Sequence, residues 1–309
     1  MKIYVGVTDP VWLRNLREAD PAPSEVNFWK PGGGSFKAIE SGCPFLFKEK
    51  APANRIAGLG FFYGYSVIPI SMAWDTFGKA NGRSSFVELA EAIRKNRQGE
   101  VNAMTEIGCI LLENPMFFPK DVNVDVPEDF AKNIVSGKSY DTTTQVGARL
   151  WERVQLAMHS MRMSVVTRVQ GPTADYVFGK EYLRKSRPGQ AGFRFALMEA
   201  YDRKCAVTGE NILPVLEAAH IQPVSSEGVN TVDNGLLLRS DMHKLFDQGL
   251  ITVTPDYTIR ISSKIAELYV NGKVYKRWDK ERMTVVPTDE LSRPDRLRLQ
   301  WHNDAVFIA

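Results

Sequence analysis

An α+β fold in two units is what this 309-residue chain predicts. Three observations lead there. The length exceeds what one hydrophobic core organises, so two domains are expected. Strand-like and helix-like stretches are mixed through the first half. From residue 169 the composition shifts to the polar, Gly- and Pro-bearing "VQGPTADYVFGKEYLRKSRPGQAG", which reads as a linker or an exposed basic strip. The expected boundaries are residues 1–165, a basic linker at 166–190, and 191–309.

Taken in order, "KIYVGVT" alternates as a strand does, and "DPVWLRNLREA" is a short amphipathic helix opened by Asp9 and Pro10. A Gly-rich loop, "FWKPGGGSFKAIE", precedes three strand candidates, "PFLFKEK", "RIAGLGFFYGYSV" and "IGCILLE". Between the last two, "SSFVELAEAIRKNRQG" has a capping-box start in Ser85 and Glu88 and a glycine stop at Gly99. A further helix, "TQVGARLWERVQLAMHSM", covers about residues 144–161. Beyond the linker, "FRFALMEAYDRK" is a helix, "CAVTG" a turn, and "GLITVTPDYTIRIS" a hairpin that reverses at Pro255-Asp256. "RPDRLRLQWHNDAVF" closes the chain as an amphipathic helix.

A hydrophobic content of 44% with 24% charged residues describes a soluble globular protein. No apolar run approaches the roughly 18 residues that span a bilayer, so no membrane association is expected. "MKIYVGVTDPVW" lacks the basic flank and long apolar stretch of a signal peptide. Three widely spaced cysteines, Cys43, Cys109 and Cys205, argue against a disulfide framework, and a cytoplasmic location is expected. With a net charge of +3, any nucleic-acid binding must come from local basic patches.

The chain has four histidines. His220 stands in the apolar, strand-like "LEAAHIQPV". A lone histidine in such a run is usually a satisfied core residue, so its company decides. Asn234 follows 14 residues later, His243 lies 9 beyond that, and Asp247 is at i+4 from His243. His159 and His302 have no such company and read as structural.

The order of strand histidine, loop asparagine and helix histidine resembles the HNH endonuclease family with its ββα-metal fold. "CAVTG", "LEAAHI", "NGLLL" and "HKLFDQG" resemble the branch without a zinc knuckle, over residues of about 185 to 309. The resemblance implies phosphodiester hydrolysis. His220 would be the general base, since an imidazole deprotonates water near neutral pH without a large pKa shift. Asn234 would clamp the loop behind it. His243 and Asp247 would hold Mg²⁺, Mn²⁺ or another divalent metal as a Lewis acid. Many relatives place a metal ligand just before the general base; here that residue is Ala219, and Glu217, two residues earlier on the same strand face, is the candidate substitute. Zinc-bearing relatives carry two Cys-x-x-Cys pairs, and the matching positions here are Cys205, Thr208, Arg239 and Met242. One cysteine cannot bind structural zinc, so none is expected and Cys205 reads as a small buried apolar residue. Lys180, Arg184, Lys185, Arg187 and Arg194 are the candidate phosphate contacts on double-stranded DNA.

The first half is similar to the PUA superfamily, the EVE, ASCH and SRA-like group, in the strand–turn–strand "ESGCPFLFKEKAPANRIAGLGFF". That resemblance implies a PUA-like β-barrel with flanking helices, whose pocket receives a modified or flipped base between aromatic walls. Trp29, Trp74, Phe62 and Phe118 are the candidate walls, with Asp75 to accept a bond from an exocyclic amine; most aromatics in any barrel are core. Phe61 and Tyr63 are further candidates. Three readings of the whole chain stay open. The first is a modification-dependent endonuclease directed to modified cytosine. The second is a nuclease effector that senses a nucleotide signal or a protein partner. The third is a degenerate fold that only binds DNA. A double-strand break would require a homodimer or two binding events.

Overall fold

The first helix begins where its capping residue stands. In the computed structural model, which describes residues 1–166, 189–226 and 228–309, Asp9 Oδ1 accepts the backbone N–H groups of Val11 and Trp12, both at 2.9 Å. These are the orphan donors of helix α1 (Pro10–Arg17). Burial pushes the Asp9 carboxyl up, but those bonds and the Arg83 guanidinium at 2.9 Å outweigh it and hold the group below its ordinary value.

The chain divides into two compact units, Met1–Ser186 and Arg187–Ala309. The first is built on a sheet of β1 (Lys2–Val7), β2 (Glu25–Lys30), β3 (Pro44–Lys48), β4 (Arg55–Pro69), β5 (Glu106–Phe117), β6 (Val124–Asp125) and β7 (Gly137–Asp141). The strand order is β2-β5-β4-β3-β1-β7, with β6 paired to β4. Only β1 and β3 run parallel. Helix α4 (Gln145–Val166) buries Leu150, Val154, Ala157 and Met158 in one core with Ile3, Val5, Leu46, Leu59, Phe61 and Phe118, the i, i+4, i+7, i+8 stripe of an amphipathic helix. A second cluster is aromatic. Trp12 meets Phe28 and Phe47 at centroid distances of 5.4 and 5.1 Å, and Phe28 meets Phe45 at 4.7 Å.

The expected closed barrel is corrected to an open sheet: among the described residues, β2 and β7 end the strand path and do not pair with each other. The β2 flank is covered by side chains instead. The Trp12 indole N–H donates to the Asn27 carbonyl at 2.9 Å, and the Trp29 indole N–H donates to the Asn81 carbonyl at 3.1 Å. Helix α1 and the 3₁₀ turn Gly78–Asn81 thus protect an edge that would otherwise recruit another strand. Gly82 is required there: its φ is +68°, and an added Cβ would stand 2.3 Å from Trp12 Cδ1. The start of the expected Gly-rich loop, and the segment that carries Trp74 and Asp75, are regular structure. "FWK" lies in β2, and "MAWDTF" in helix α2 (Ile70–Phe77). Helix α3 (Phe86–Lys95) keeps its predicted cap, with Ser85 Oγ accepting the Glu88 N–H at 3.2 Å.

The second unit contains helix α5 (Gln190–Ala200), strands β8 (Leu216–His220) and β9 (Gly235–Arg239), helix α6 (Ser240–Asp247), the hairpin β10 (Ile251–Val253) and β11 (Ile259–Ile261), and helices α7 (Lys264–Leu268) and α8 (Arg296–Ala305). Gly235 lets α5 approach β9, since a Cβ there would lie 2.7 Å from both Leu197 Cδ1 and Phe193 Cζ. The Tyr201 hydroxyl, on a fully buried ring, seals the contact by donating to the Gly235 carbonyl at 3.1 Å. His302 is structural, as expected. Its ring stacks on Phe246 at 3.8 Å, Nε2–H donates to the Phe246 carbonyl at 3.2 Å, and Nδ1 accepts the Thr252 hydroxyl at 2.8 Å. No helix among the described residues is long and apolar enough to cross a membrane.

Burial holds the His302 imidazole at a pKa of about 4, against 6.5 for the free group. The unfolded chain therefore binds a proton that the native state refuses. The contribution is complete above pH 6.5 and is lost as pH falls from there toward 4. It amounts to about 3 kcal/mol. Urea midpoints at pH 7 and pH 4.5 should show a smaller pH difference for His302→Gln than for the parent.

Candidate active site

Strands β8 and β9 pair antiparallel, His220 opposite Gly235 and Glu217 opposite Leu238, and α6 follows β9 directly. This ββα hairpin brings the candidate residues into two adjoining groups. The first is centred on His220. Its ring stacks on Phe193 of α5 at 4.2 Å and 17°, and Nε2 lies 2.8 Å from Asn230 Oδ1. The carboxamide oxygen accepts, so Nε2 carries the hydrogen and Nδ1 keeps its lone pair.

Asn234, fully buried, holds the loop between the strands closed. Its Oδ1 accepts the Gln222 N–H at 3.0 Å, and its Nδ2 donates to the carbonyls of Gln222 and Val229 at 2.9 and 2.8 Å. Its own carbonyl accepts the Ile221 N–H at 2.9 Å. Val229 precedes Asn230, so the clamp that closes the loop also sets the residue that orients His220. Sequence reasoning missed Asn230 and Phe193. Two asparagines stand four apart in "VNTVDNG", and nothing in that string tells which one faces inward.

The second group is centred on His243, which has a carboxylate at each ring nitrogen. Glu217 Oε2 is 2.7 Å from Nδ1 and Asp247 Oδ2 is 3.3 Å from Nε2. A neutral imidazole has one N–H to donate. Given to Glu217, it leaves the Nε2 lone pair facing a carboxylate oxygen, an arrangement that a proton or a cation must balance. Two ligands of one divalent ion, each about 2.1 Å from it, lie about 3 Å apart, so Nε2 and Oδ2 suit a shared cation. Glu217 sits at the other nitrogen, where it orients the ring. Among the described residues, no group of three His, Cys, Asp or Glu side chains is arranged to hold a metal ion.

Burial pushes the Glu217 carboxyl up, but bonds from His243 and Ser240 and the charges of His243 and Arg194 hold it below its ordinary value. Arg194 is placed inside the domain, where Nη2 donates to the Leu216 carbonyl at 3.1 Å. Lys180, Arg184, Lys185 and Arg187 fall outside the described residues. Cys205 is fully buried, as expected, but is more than an apolar filler: Sγ accepts the backbone N–H groups of Thr208 and Arg239 at 3.4 and 3.2 Å.

In the first unit, a cavity of about 360 Å³ is lined by Tyr4, Trp12, Phe28 and Trp29 with the polar groups of Lys30, Lys50, Asn96 and Ser136. Of the candidate pocket residues it contains Trp29 alone. Phe118 lies in the α4 core, Phe62 packs edge-on to Phe36 at 5.4 Å, and Trp74 and Asp75 lie on α2, away from the cavity lining. Trp29 is 9% exposed, and the Arg83 guanidinium lies 5.4 Å from its ring centre.

Residues 205–254, which span the β8–β9–α6 hairpin, match the family model for HNH endonuclease. No curated protein matches the chain. Among solved structures, the chain is similar to the ASCH protein of Zymomonas mobilis (TM-score 0.35, 8% identity, covering 50% of this chain and 94% of that one). A mutant of the same protein gives a TM-score of 0.35 at 9% identity, covering 52% and 99%. The modification-dependent TagI restriction endonuclease gives 0.30 at 13% identity, covering 92% and 75%.

Replacing Asn234 with Ala strands two carbonyls and one N–H in the loop. Urea unfolding should show a loss of about 3 kcal/mol, roughly 1 for each bond. Asn234→Asp should not rescue it, because a carboxylate cannot donate to those carbonyls.

Proposed function

We propose that the HNH endonuclease domain carried by the C-terminal unit hydrolyses phosphodiester bonds of double-stranded DNA, and that the N-terminal unit directs it to a modified base, with a modified cytosine as the intended target. The observation that carries the first part is that the family match falls on the hairpin holding His220, Asn234, His243 and Asp247. The second part is supported by the aromatic cavity, whose size suits a small ligand and whose walls suit a planar one.

In this reading His220 is the general base. Nδ1 takes a proton from the attacking water, and the positive ring that results donates Nε2–H to Asn230. Phe193 fixes the plane of the ring, and Asn234 fixes the loop that supplies Asn230. His243 Nε2 and Asp247 would hold a divalent metal, Mg²⁺ or Mn²⁺, which when bound stabilises charge on the phosphate and the leaving oxygen. Glu217 keeps the His243 N–H on Nδ1 and so leaves Nε2 free to coordinate. The Arg194 charge favours the ionised form of Glu217. One such site cuts one strand, so a double-strand break takes two copies or two encounters.

Lys30 and Lys50 in the cavity lining favour a second reading, in which an anionic nucleotide signal occupies the site and switches the nuclease on. A cleavage assay with Mg²⁺ or Mn²⁺ separates the two. Cutting confined to duplexes with 5-methyl-, 5-hydroxymethyl- or glucosylated cytosine, without added nucleotide, supports the modified-base reader. Trp29→Phe and Asn96→Ala should then narrow the preference while cleavage itself persists. Equal cutting of plain and modified DNA removes that reading.

His220→Ala should lower the cleavage rate roughly a thousandfold. Asn230→Asp should move the acid limb of the pH–rate profile up by about one unit or more, because a carboxylate at Nε2 stabilises the protonated ring and keeps the base occupied to higher pH. Asn230→Ala should lower kcat with little movement of that limb. A profile unchanged in the Asp variant would remove Asn230 from the mechanism.

A further inference from the structure

Downstream of the hairpin β10–β11, α7 and the 3₁₀ segment Val270–Trp278 form a strap that lies outside the family-matched residues. Ile265 anchors it, fully buried, and Gly272 closes onto α7, where an added Cβ would meet the Ile265 carbonyl at 2.0 Å. Its far end is fastened to the start of α6. The Tyr275 hydroxyl donates to Asp241 Oδ2 at 3.0 Å, and Arg239 grips the same carboxylate through Nε and Nη2 at 2.6 and 2.8 Å. Arg239 also lies 5.6 Å from the Trp278 ring centre, with Arg277 at 4.0 Å. Asp241 stands two residues before His243 on one short helix.

The outer surface of this strap is basic. Lys273, Lys276, Arg277 and Lys280 are all exposed, and among the described residues none of them is in a salt bridge. The nearby carboxylate of Asp279 turns inward, with Oδ1 accepting the Ile261 N–H at 2.9 Å. Cations held in the open, in no salt bridge among the described residues and on a backbone pinned to the helix that carries His243 and Asp247, complement a phosphate chain. We propose that the strap, through Lys273, Lys276 and Arg277, together with Lys280 just beyond its end, grips the phosphate backbone of duplex DNA beside the active-site helix. The inference rests on the reading that the substrate is DNA. Arg277, held 4.0 Å from the Trp278 ring centre, is preorganised for a phosphate at less entropic cost than a free side chain. Leu268, Tyr269, Val270 and Val274 are also exposed, at 53–96%. A surface for a second copy of this chain would use those residues, so the test has an arm for that partner.

The full-length chain carrying His220→Ala, chosen to suppress cutting during the measurement, is titrated with an unmodified duplex at several salt concentrations between about 50 and 200 mM. Adding Lys273→Ala, Lys276→Ala and Arg277→Ala should weaken binding at least roughly tenfold and flatten the plot of log K against log salt by about 0.9 per lost contact. Lys273→Arg with Lys276→Arg should keep both affinity and slope. Binding with unchanged affinity and slope in the triple Ala variant overturns the strap alone. Failure of the parent to bind any duplex overturns the strap together with the DNA reading. A dimer in sedimentation that Val270→Asp with Val274→Asp dissociates, with DNA affinity intact, makes the strap a chain–chain surface and overturns the proposal.

Discussion

A single carboxamide governs the geometry of the C-terminal unit. Asn234 is fully buried and spends its oxygen and both its N–H groups on backbone atoms of the loop that separates the two strands. A loop of this length has no ladder of its own, so its polar backbone must be satisfied some other way. The side chain does this from inside the loop and ties both arms to the end of β9. From that one anchor follow the place of Val229, the aim of Asn230, and the orientation of the His220 ring on Phe193. The strand supplies rigidity, but the clamp supplies direction.

The His243 group shows the complementary device. Two carboxylates flank one imidazole, and the ring can satisfy only one of them with its own hydrogen. Electrostatic demand is thus concentrated at one nitrogen while the other is held fast. The bonds from His243 and Ser240, with a smaller contribution from the Arg194 charge, hold the Glu217 carboxyl below its ordinary value against the effect of burial. A residue that looks like a surface contact in the sequence becomes, once folded, part of the internal support.

How much of this was legible depended on whether a role is local. Asp9, Ser85 and the Pro255-Asp256 turn act on backbone within a few residues, and the chain places them where the sequence predicts. The spacing of His220, Asn234, His243 and Asp247 belongs to one hairpin, so it too can be read along the chain. Trp29 and Trp74 could not be sorted that way. Both sit among polar letters, yet one strand edge borrows the Trp29 indole to cover itself, and Trp74 rides a helix. The cavity collects side chains from segments as distant as Tyr4 and Ser136, a juxtaposition that only the tertiary fold creates. The open sheet was hidden for the same reason, since its flank is covered by indoles rather than by a strand.

The turn at Cys205 has a consequence for how the domain comes into being. Where zinc-bearing relatives would close this turn with metal–sulfur bonds, here one sulfur collects two backbone N–H groups from Thr208 and Arg239. Hydrogen bonds of this kind form as the chain collapses and need nothing from outside it.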